Sequence, residues 1–208
     1  MIKDLYIIRH GEAAHHIGEA LTGGWTNSGL TDKGRRQAEE AGKKLAPVLK
    51  GKSFDFYCSD LERAWDTADV IGRFIEKEPM AFRELRELNN GDAANLSRQE
   101  AEKIFIPARE PMMDWVPYPN AESWRMLNNR VFEFMDRIDE TSKETVVAVT
   151  HGGTAIAIIN WWLELDDQHI SKTSFDINPC SITRLRINGW GEKTIARLND
   201  TSHLAGVR

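Results

Sequence analysis

The first part of the chain alternates short apolar runs with longer amphipathic stretches. Residues 5–8 form a β-rich apolar run that ends in Arg9-His10-Gly11-Glu12, a pattern typical of a buried strand that enters a polar loop. Apolar residues then recur at three- and four-residue spacing behind Thr31, which predicts a helix over 31–49. A second β-rich run at 54–58 predicts another strand.

The next stretch predicts a helix and then a less regular region. An apolar helical stripe covers 61–75, and Ser59 and Glu62 have capping-box spacing in front of it. The periodicity then weakens, and residues 83–120 are expected to form a cap insertion over one end of the sheet. Within this insertion, capping-box spacing predicts a short helix over 97–105.

Regular patterning returns in the last part of the chain. It predicts a helix over 123–138, a strand buried on both faces over 145–150, an apolar helix over 154–163, and a terminal strand pair at 181–187 and 194–198.

Alternation of strands and helices predicts an α/β fold. We expect a three-layer sandwich with a mostly parallel central sheet, helices on both faces and the small cap insertion, all in one domain over 1–208. Ligands of such sheets bind outside the carboxyl ends of the strands. The polar strings that follow strands are therefore the first place to look for chemistry.

Composition narrows the class of protein without identifying it. The 208 residues are 41% hydrophobic and 28% charged, which is ordinary for a globular protein and excludes disorder and coiled coil. No apolar run is long enough to span a bilayer, and no cleavage site follows the first apolar run, so we expect a cytoplasmic protein. The net charge of −5 gives no general attraction to nucleic acid or membrane. Cys58 and Cys180 are expected to be buried thiols.

Two histidines and two arginines fall at the predicted strand ends. A neutral imidazole such as His10 or His151 can present a ring nitrogen to phosphorus at neutral pH, and Gly11 lets the backbone approach an anion closely. Arg9 offers a planar donor fork, and Arg63 lies in the first turn of a helix whose N-terminus adds positive potential. Each feature alone has an ordinary structural explanation, but together they indicate an anion site.

These residues belong to a longer series that resembles the histidine phosphatase superfamily, which includes the cofactor-dependent phosphoglycerate mutases. The resemblance rests on motifs that occur in the family's order over nearly the whole chain: Arg9 to Glu12, Thr22-Gly23 with Trp25, Leu30-Thr31 with Gly34, Ser59 to Ala64 with Thr67-Ala68, Leu85 to Glu87, Pro119 to Ser123, Val149 to Gly153 and Asn199 to His203.

The resemblance implies a role for each matching residue. His10 would be the nucleophile that becomes phosphohistidine, while Arg9, Arg63 and His151 would stabilise the charge on the phosphoryl group. Glu87 aligns with the family's proton donor, and Glu84 in the same charged string remains the alternative. Substrate contacts are expected from Gly11, His16, Thr22, Gly23 and Gly152.

Three departures from the family pattern fall where substrate contacts are expected. Ala13 and His16 stand where many relatives have a hydroxyl residue and an asparagine. Residues 92–95 and 119–123 also differ from the usual strings. None of these changes removes a catalytic group, but they leave the substrate unassigned.

A metal site is the main chemical alternative for the histidines. His10, His15, His16 and His151 suggest zinc, but there is no His-x-x-x-His pair on a helix, and His15 and His16 are adjacent. We expect no metal and no cofactor. Trp161 and Trp162 are expected in the core or at a subunit contact. A homodimer is therefore one of the assemblies that the sequence allows.

The sequence therefore predicts a phosphatase that acts on a small phosphorylated metabolite. A bisphosphoglycerate-dependent mutase is the alternative within the enzyme class, and the modest size of the chain favours hydrolysis. The alternative from another class is a protein that binds a phospho-ligand without catalysis.

Overall fold

The structure, a computed structural model, describes residues 1–17 and 22–207. Six strands and six helices occur in this described part, in the order β1 (Asp4–Arg9), α1 (Asp32–Leu49), β2 (Phe54–Ser59), α2 (Glu62–Ile75), β3 (Met80–Phe82), α3 (Arg98–Glu102), α4 (Trp124–Thr141), β4 (Thr145–Thr150), α5 (Gly152–Trp162), α6 (Asp167–Ile170), β5 (Ile182–Ile187) and β6 (Lys193–Asp200).

The strands form one sheet in the order β3-β2-β4-β1-β5-β6. The first four strands in this order are mutually parallel, and β5 and β6 are antiparallel to their neighbours. Arg9 at the end of β1 is paired with Thr150 at the end of β4. This register places the loops that follow the two central strands side by side.

Each central strand buries alternate residues against different helices. In β1, Tyr6 and Ile8 pack in the cluster that contains α1 and α2 residues, whereas Leu5 and Ile7 pack in the cluster that contains α4 and α5 residues. All six residues of β4 are buried. The predicted three-layer α/β fold is therefore confirmed, because the sheet is covered on both faces.

Several predicted element ends need correction. Helix α3 ends at Glu102 instead of 105, α4 continues to Thr141, and α5 begins at Gly152 instead of 154. The capping box predicted at Ser59 and Glu62 is wrong, because Leu61 is the N-cap of α2 and makes no side-chain cap bond. The Ser59 hydroxyl instead bonds to the His151 ring, a contact that sequence spacing cannot reveal.

The cap segment, residues 83–120, joins β3 to the region before α4 by short turns of 3-10 helix and by α3. Capping of α3 by Ser97 and Glu100 is confirmed. Cys58 and Cys180 are free and buried, as expected. Within the described ranges, no helix is both long and apolar enough to cross a membrane.

Candidate active site

The predicted site residues converge at the carboxyl ends of β1 and β4. A cavity of about 770 Å³ opens there, and its wall includes Arg9, His10, His16, Thr22, Gly23, Arg63 and Glu87. His151 lies beside His10, with the two ring centroids 5.0 Å apart. Gly11 and Gly152 are not part of the cavity wall. A Cβ at Gly11 would lie 2.6 Å from the Gly34 carbonyl oxygen, so this glycine permits a close packing of β1's loop on α1.

Backbone contacts fix the ring of His10. Its Nδ1 lies 2.7 Å from the Gly11 carbonyl oxygen, so Nδ1–H donates and the lone pair is left on Nε2. The Nε–H of Arg63 points at this lone pair from 3.2 Å. Burial, together with the charges of Arg63 and Arg9, holds the pKa of His10 well below 6.5. His10 is therefore a neutral imidazole whose Nε2 lone pair faces the Arg63 guanidinium, with the charge of Arg9 nearby.

The backbone also orients Arg63, which is 1% exposed. Its Nη1 donates to the Thr26 carbonyl at 2.9 Å and its Nη2 to the Gly24 carbonyl at 2.6 Å. Burial lowers the pKa of Arg63 to about 10, so the group is still a cation at neutral pH. The carbonyls of Gly24 and Thr26 thus hold the Arg63 guanidinium with its Nε–H against His10.

Two further side chains present unused donors. Arg9 Nη1 donates to the Ile177 carbonyl at 2.7 Å, while Arg9 Nε is buried and has no partner among the described residues. His151 Nε2 lies 2.8 Å from Ser59 Oγ, and its buried Nδ1 likewise lacks a partner within 1–17 and 22–207. When the Ser59 hydroxyl donates to Nε2, Nδ1 of His151 carries a proton. Buried donors without partners are expected where an anionic ligand completes them.

His16 lies next to Arg9 in the wall of the same cavity. Its Nδ1 accepts from the Ala13 amide at 3.2 Å, which places the neutral ring's proton on Nε2, 3.3 Å from Arg9 Nη2. Burial and the nearby arginines lower the pKa of His16 to about 4. An anion oxygen could accept from both of these N–H groups, whereas a cation would be repelled by them.

His15 forms a cluster with His10 and His16, three of the four histidines that the sequence suggested as metal ligands. Ligand nitrogens of His10, His15 and His16 lie within 4.8 Å of one another, the only such group found in the described ranges. The adjacency of His15 and His16 is thus no obstacle to a shared ligand, contrary to the sequence argument. Two guanidiniums border the cluster, and the Arg63 Nε–H already faces the His10 lone pair. This charge pattern favours an anion over a metal ion.

The structure separates the two acids proposed as proton donor. Glu87 borders the cavity, and its carboxylate accepts from the Gly153 amide at 3.1 Å and from its neighbour Leu88 at 2.8 Å. Glu84 is not in the cavity wall and is ion-paired with Arg137 at 2.8 Å. Of the two acids, only Glu87 borders the cavity.

The backbone of the segment that carries Glu87 is held in place by Arg130 and Trp25. Arg130 of α4 donates to the backbone carbonyls of Glu84 at 2.6 Å and Glu87 at 3.3 Å, and pairs with Glu122 at 2.8 Å. The Trp25 indole N–H also donates to the Glu87 carbonyl at 2.7 Å. Nothing in the sequence indicated this role for Arg130, because an arginine in an amphipathic helix is usually solvated. Trp25 and Glu122, in contrast, lie in motifs that match the family pattern.

The fold is that of the histidine phosphatases as a class. The sequence profile of the histidine phosphatase superfamily (branch 1) matches residues 5–201, and the chain belongs to this superfamily.

Relatives within it carry different activities in their names. The chain is 32% identical over 207 residues to phosphoglycerate mutase-like protein 4 of Arabidopsis thaliana, covering 97% of this chain and 86% of that one. It is 32% identical over 171 residues to the 2,3-bisphosphoglycerate-dependent phosphoglycerate mutase of Bartonella henselae, covering 76% and 81%. A mycobacterial glucosyl-3-phosphoglycerate phosphatase has the same fold, with a TM-score of 0.78 at 22% identity over 96% of this chain and 99% of that one.

Proposed function

We propose that this protein is a phosphatase that hydrolyses a small phosphate monoester through a phosphohistidine on His10. The observation that carries the proposal is the state of His10: neutral, buried, with its Nδ1 proton held by a carbonyl and its Nε2 lone pair facing Arg63. A histidine that only packs, or that binds an anion by donating from Nε2, gains nothing from a lone pair kept on Nε2 beside a cation.

The proposed reaction has two displacements at phosphorus. In the first, the Nε2 lone pair forms the N–P bond while the bond to the ester oxygen breaks, and the Glu87 carboxyl group gives its proton to that oxygen. In the second, water attacks phosphorus and gives a proton to the Glu87 carboxylate as the N–P bond breaks, which releases phosphate and restores His10. Arg9 Nε, the Arg63 guanidinium and His151 Nδ1 supply donors to the phosphoryl oxygens.

The charge of the cavity rim favours hydrolysis over the mutase reaction. A mutase must also hold the second phosphate of a bisphosphate. We call the lining residues between 98 and 118 the rim of the cavity. Among the described residues of the rim there is one arginine, Arg98, and it lies one helical turn from the acid Glu102. One partly compensated arginine is little positive charge for a second phosphate dianion. We therefore infer that the part of the substrate outside the transferred phosphate is polar or carries one negative charge.

Mutase activity is the second candidate, since a relative that bears this name is 32% identical. Chain size does not separate the two, contrary to the expectation from the sequence. The match covers 76% of this chain and 81% of the Bartonella mutase, so the two chains have similar lengths.

The test is a panel of phosphorylated metabolites with the purified protein. We expect release of phosphate, and a transient gain of one phosphoryl group on His10 that mass spectrometry locates in an acid-labile form. Isomerisation of monophosphoglycerate that requires bisphosphoglycerate would establish the mutase instead. Binding of phosphate without turnover of any ester would establish a phospho-ligand binding protein.

A further inference from the structure

The candidate proton donor Glu87 lies in an irregular stretch of the chain. Residues 86–90 belong to no helix or strand, so their backbone groups need partners from elements packed against them. Thr154 of α5 supplies one partner, because its hydroxyl donates to the Arg86 carbonyl at 2.6 Å. A single side chain of α4 supplies several of the others.

That side chain is Arg130, and each of its N–H groups has a partner. Nη1 donates to the carbonyls of Glu84 at 2.6 Å and Arg86 at 3.1 Å, and Nη2 donates to the carbonyl of Glu87 at 3.3 Å. Nε and Nη2 also donate to the carboxylate of Glu122, at 2.9 and 2.8 Å. A guanidinium has five N–H donors in one rigid plane. All five are used here, so this one group fixes the relative positions of three carbonyls.

Glu122 holds the chain on the other side of Glu87. Its Oε2 accepts from the Asn89 amide at 2.9 Å, and its own amide donates to the Asn89 carbonyl at 2.9 Å. The side chains of Arg130 and Glu122 are only 17% and 16% exposed, so salt screens their ion pair little. The pair therefore holds the backbone both before and after Glu87.

The carboxylate of Glu87 is held in turn by α5. Its Oε2 accepts from the amide of Gly153, the second residue of this helix, where backbone N–H groups have no partner within the helix. A Cβ at position 153 would lie 2.5 Å from Glu87 Oε1, so the glycine leaves the space that the carboxylate occupies. A shift of the backbone at Glu87 would therefore pull the carboxylate away from this amide.

We propose that Arg130, paired with Glu122, is a positioning residue that sets the place from which Glu87 protonates the leaving oxygen. The inference rests on the proposed phosphatase reaction, in which Glu87 is the proton donor. A general acid has to lie within hydrogen-bond reach of the oxygen, and a misplacement of about 1 Å can cost about 10²-fold in rate. Arg130 is not among the described residues of the cavity wall, so its effect has to pass through the segment that it holds.

The choice of leaving group separates this role from a purely structural one. p-Nitrophenolate leaves without a proton, whereas the alkoxide of benzyl phosphate needs one. Arg130→Met should therefore lower the ratio of kcat/KM for benzyl phosphate to kcat/KM for p-nitrophenyl phosphate at least about tenfold. A loss of folded protein would lower both values equally and leave the ratio unchanged. Arg137→Met, which removes a bond to the Glu84 side chain from the same helix, is the matched control and should not change the ratio.

Two double variants test whether the effect passes through Glu87. The ratio is already lowered in Glu87→Gln, and adding Arg130→Met should lower it no further. Arg130→Met/Glu122→Gln removes both charges of the pair, so it replaces Arg130→Met if the unpaired Glu122 prevents folding, and it should show the same lowered ratio. An unchanged ratio in the folded Arg130 variant, or an equal further fall in the Glu87→Gln background, would overturn the proposal.

A measurement without turnover separates this inference from the proposed function. The bond from the Gly153 amide to Glu87 slows hydrogen exchange at this amide. Exchange measured by NMR without substrate should be about fivefold faster in Arg130→Met, as expected for the loss of one hydrogen bond, and unchanged in Arg137→Met. If the wild-type protein hydrolyses no phosphate ester, the phosphatase proposal fails, and this measurement still decides whether Arg130 positions Glu87. Unchanged exchange at Gly153 would refute the positioning role.

Discussion

The floor and the rim of the active-site cavity are built in opposite ways. The floor consists of His10 and Arg63, which line the cavity, and of His151 beside His10. All three are at most 2% exposed, and their positions are set by carbonyls of neighbouring loops or by Ser59. On the rim, Arg98 is exposed on the five-residue helix α3 of the cap segment. His10 and His151 directly follow the central strands β1 and β4, and Arg63 lies in the first turn of the long helix α2, whereas Arg98 lies on a short helix.

This difference assigns separate tasks to the two regions. Preorganised donors in a buried floor can stabilise charge that develops on phosphorus, because they need no rearrangement during the reaction. Exposed side chains on a short helix, such as Arg98, make weaker and more adjustable contacts. We therefore expect floor variants to change the rate with every substrate, and rim variants to change the choice of substrate.

The largest effect is expected from removal of the nucleophile. His10→Ala should lower kcat/KM for p-nitrophenyl phosphate by at least about 10⁴-fold, because no other floor group offers a lone pair at this position. His169→Ala, a change at an exposed histidine paired with Asp166, serves as the control and should have no effect. Comparable activity of the two variants, both folded, would refute the covalent mechanism.

A change of cation on one helix tests the floor's geometry. Arg63→Lys should lower kcat about 10²-fold, because one ammonium group cannot reach His10 and the two carbonyls together. Arg73→Lys on the same helix, at an exposed pair with Asp69, should leave kcat unchanged. Equal kinetics of the two variants would show that charge alone suffices at position 63.

Substitution of the two acids distinguishes their roles. Glu87→Gln should lower kcat about 10²–10³-fold with an alkyl phosphate, whose leaving oxygen must be protonated, and less with p-nitrophenyl phosphate. Glu84→Gln should lose only its ion pair with Arg137 and retain activity. The reverse result would reassign the proton donor to Glu84.

The neutral histidines of the floor also predict how stability depends on pH. Burial, with the charge of Arg63, holds the pKa of His151 well below 6.5, whereas the unfolded chain titrates near the ordinary value. Below pH 6.5 the unfolded state thus binds more protons, so the free energy of unfolding should fall as the pH falls. In urea titrations at several pH values, His151→Asn should reduce this dependence, and the exposed His169→Asn should not. Equal slopes would contradict a neutral floor.

The smallest effect is expected on the rim. Arg98→Met should raise the inhibition constant of 3-phosphoglycerate, measured against p-nitrophenyl phosphate turnover, about 3–10-fold through loss of one exposed charge contact. The kcat for p-nitrophenyl phosphate should stay the same. Arg109→Met, an exposed arginine of the cap segment that is not part of the cavity wall, is the matched control. A fall in kcat with Arg98→Met would place Arg98 with the floor.

The sequence pattern predicted the strands and helices around the active site, but not the side-chain contacts between them. The strand at 145–150 and the helix behind Thr31 were predictable because burial and capping leave local signals, and the structure has them as β4 and α1. The role of Ser59 was not, since its spacing to Glu62 fits a capping box equally well. Its partner His151 is 92 residues away in the chain, and only the pairing of strands brings the two together.

The sequence by itself determined the fold class, the family and the residues that converge at the strand ends, because these depend on periodicity and on motifs of fixed order. The tertiary structure decided which nitrogen of His10 keeps its lone pair, that Glu87 and not Glu84 faces the cavity, and that Arg130 holds the segment between them. These features depend on directions of side chains from distant segments. Hydrogen bonds and charges act over a few ångströms in space, and spacing along the chain does not encode such distances.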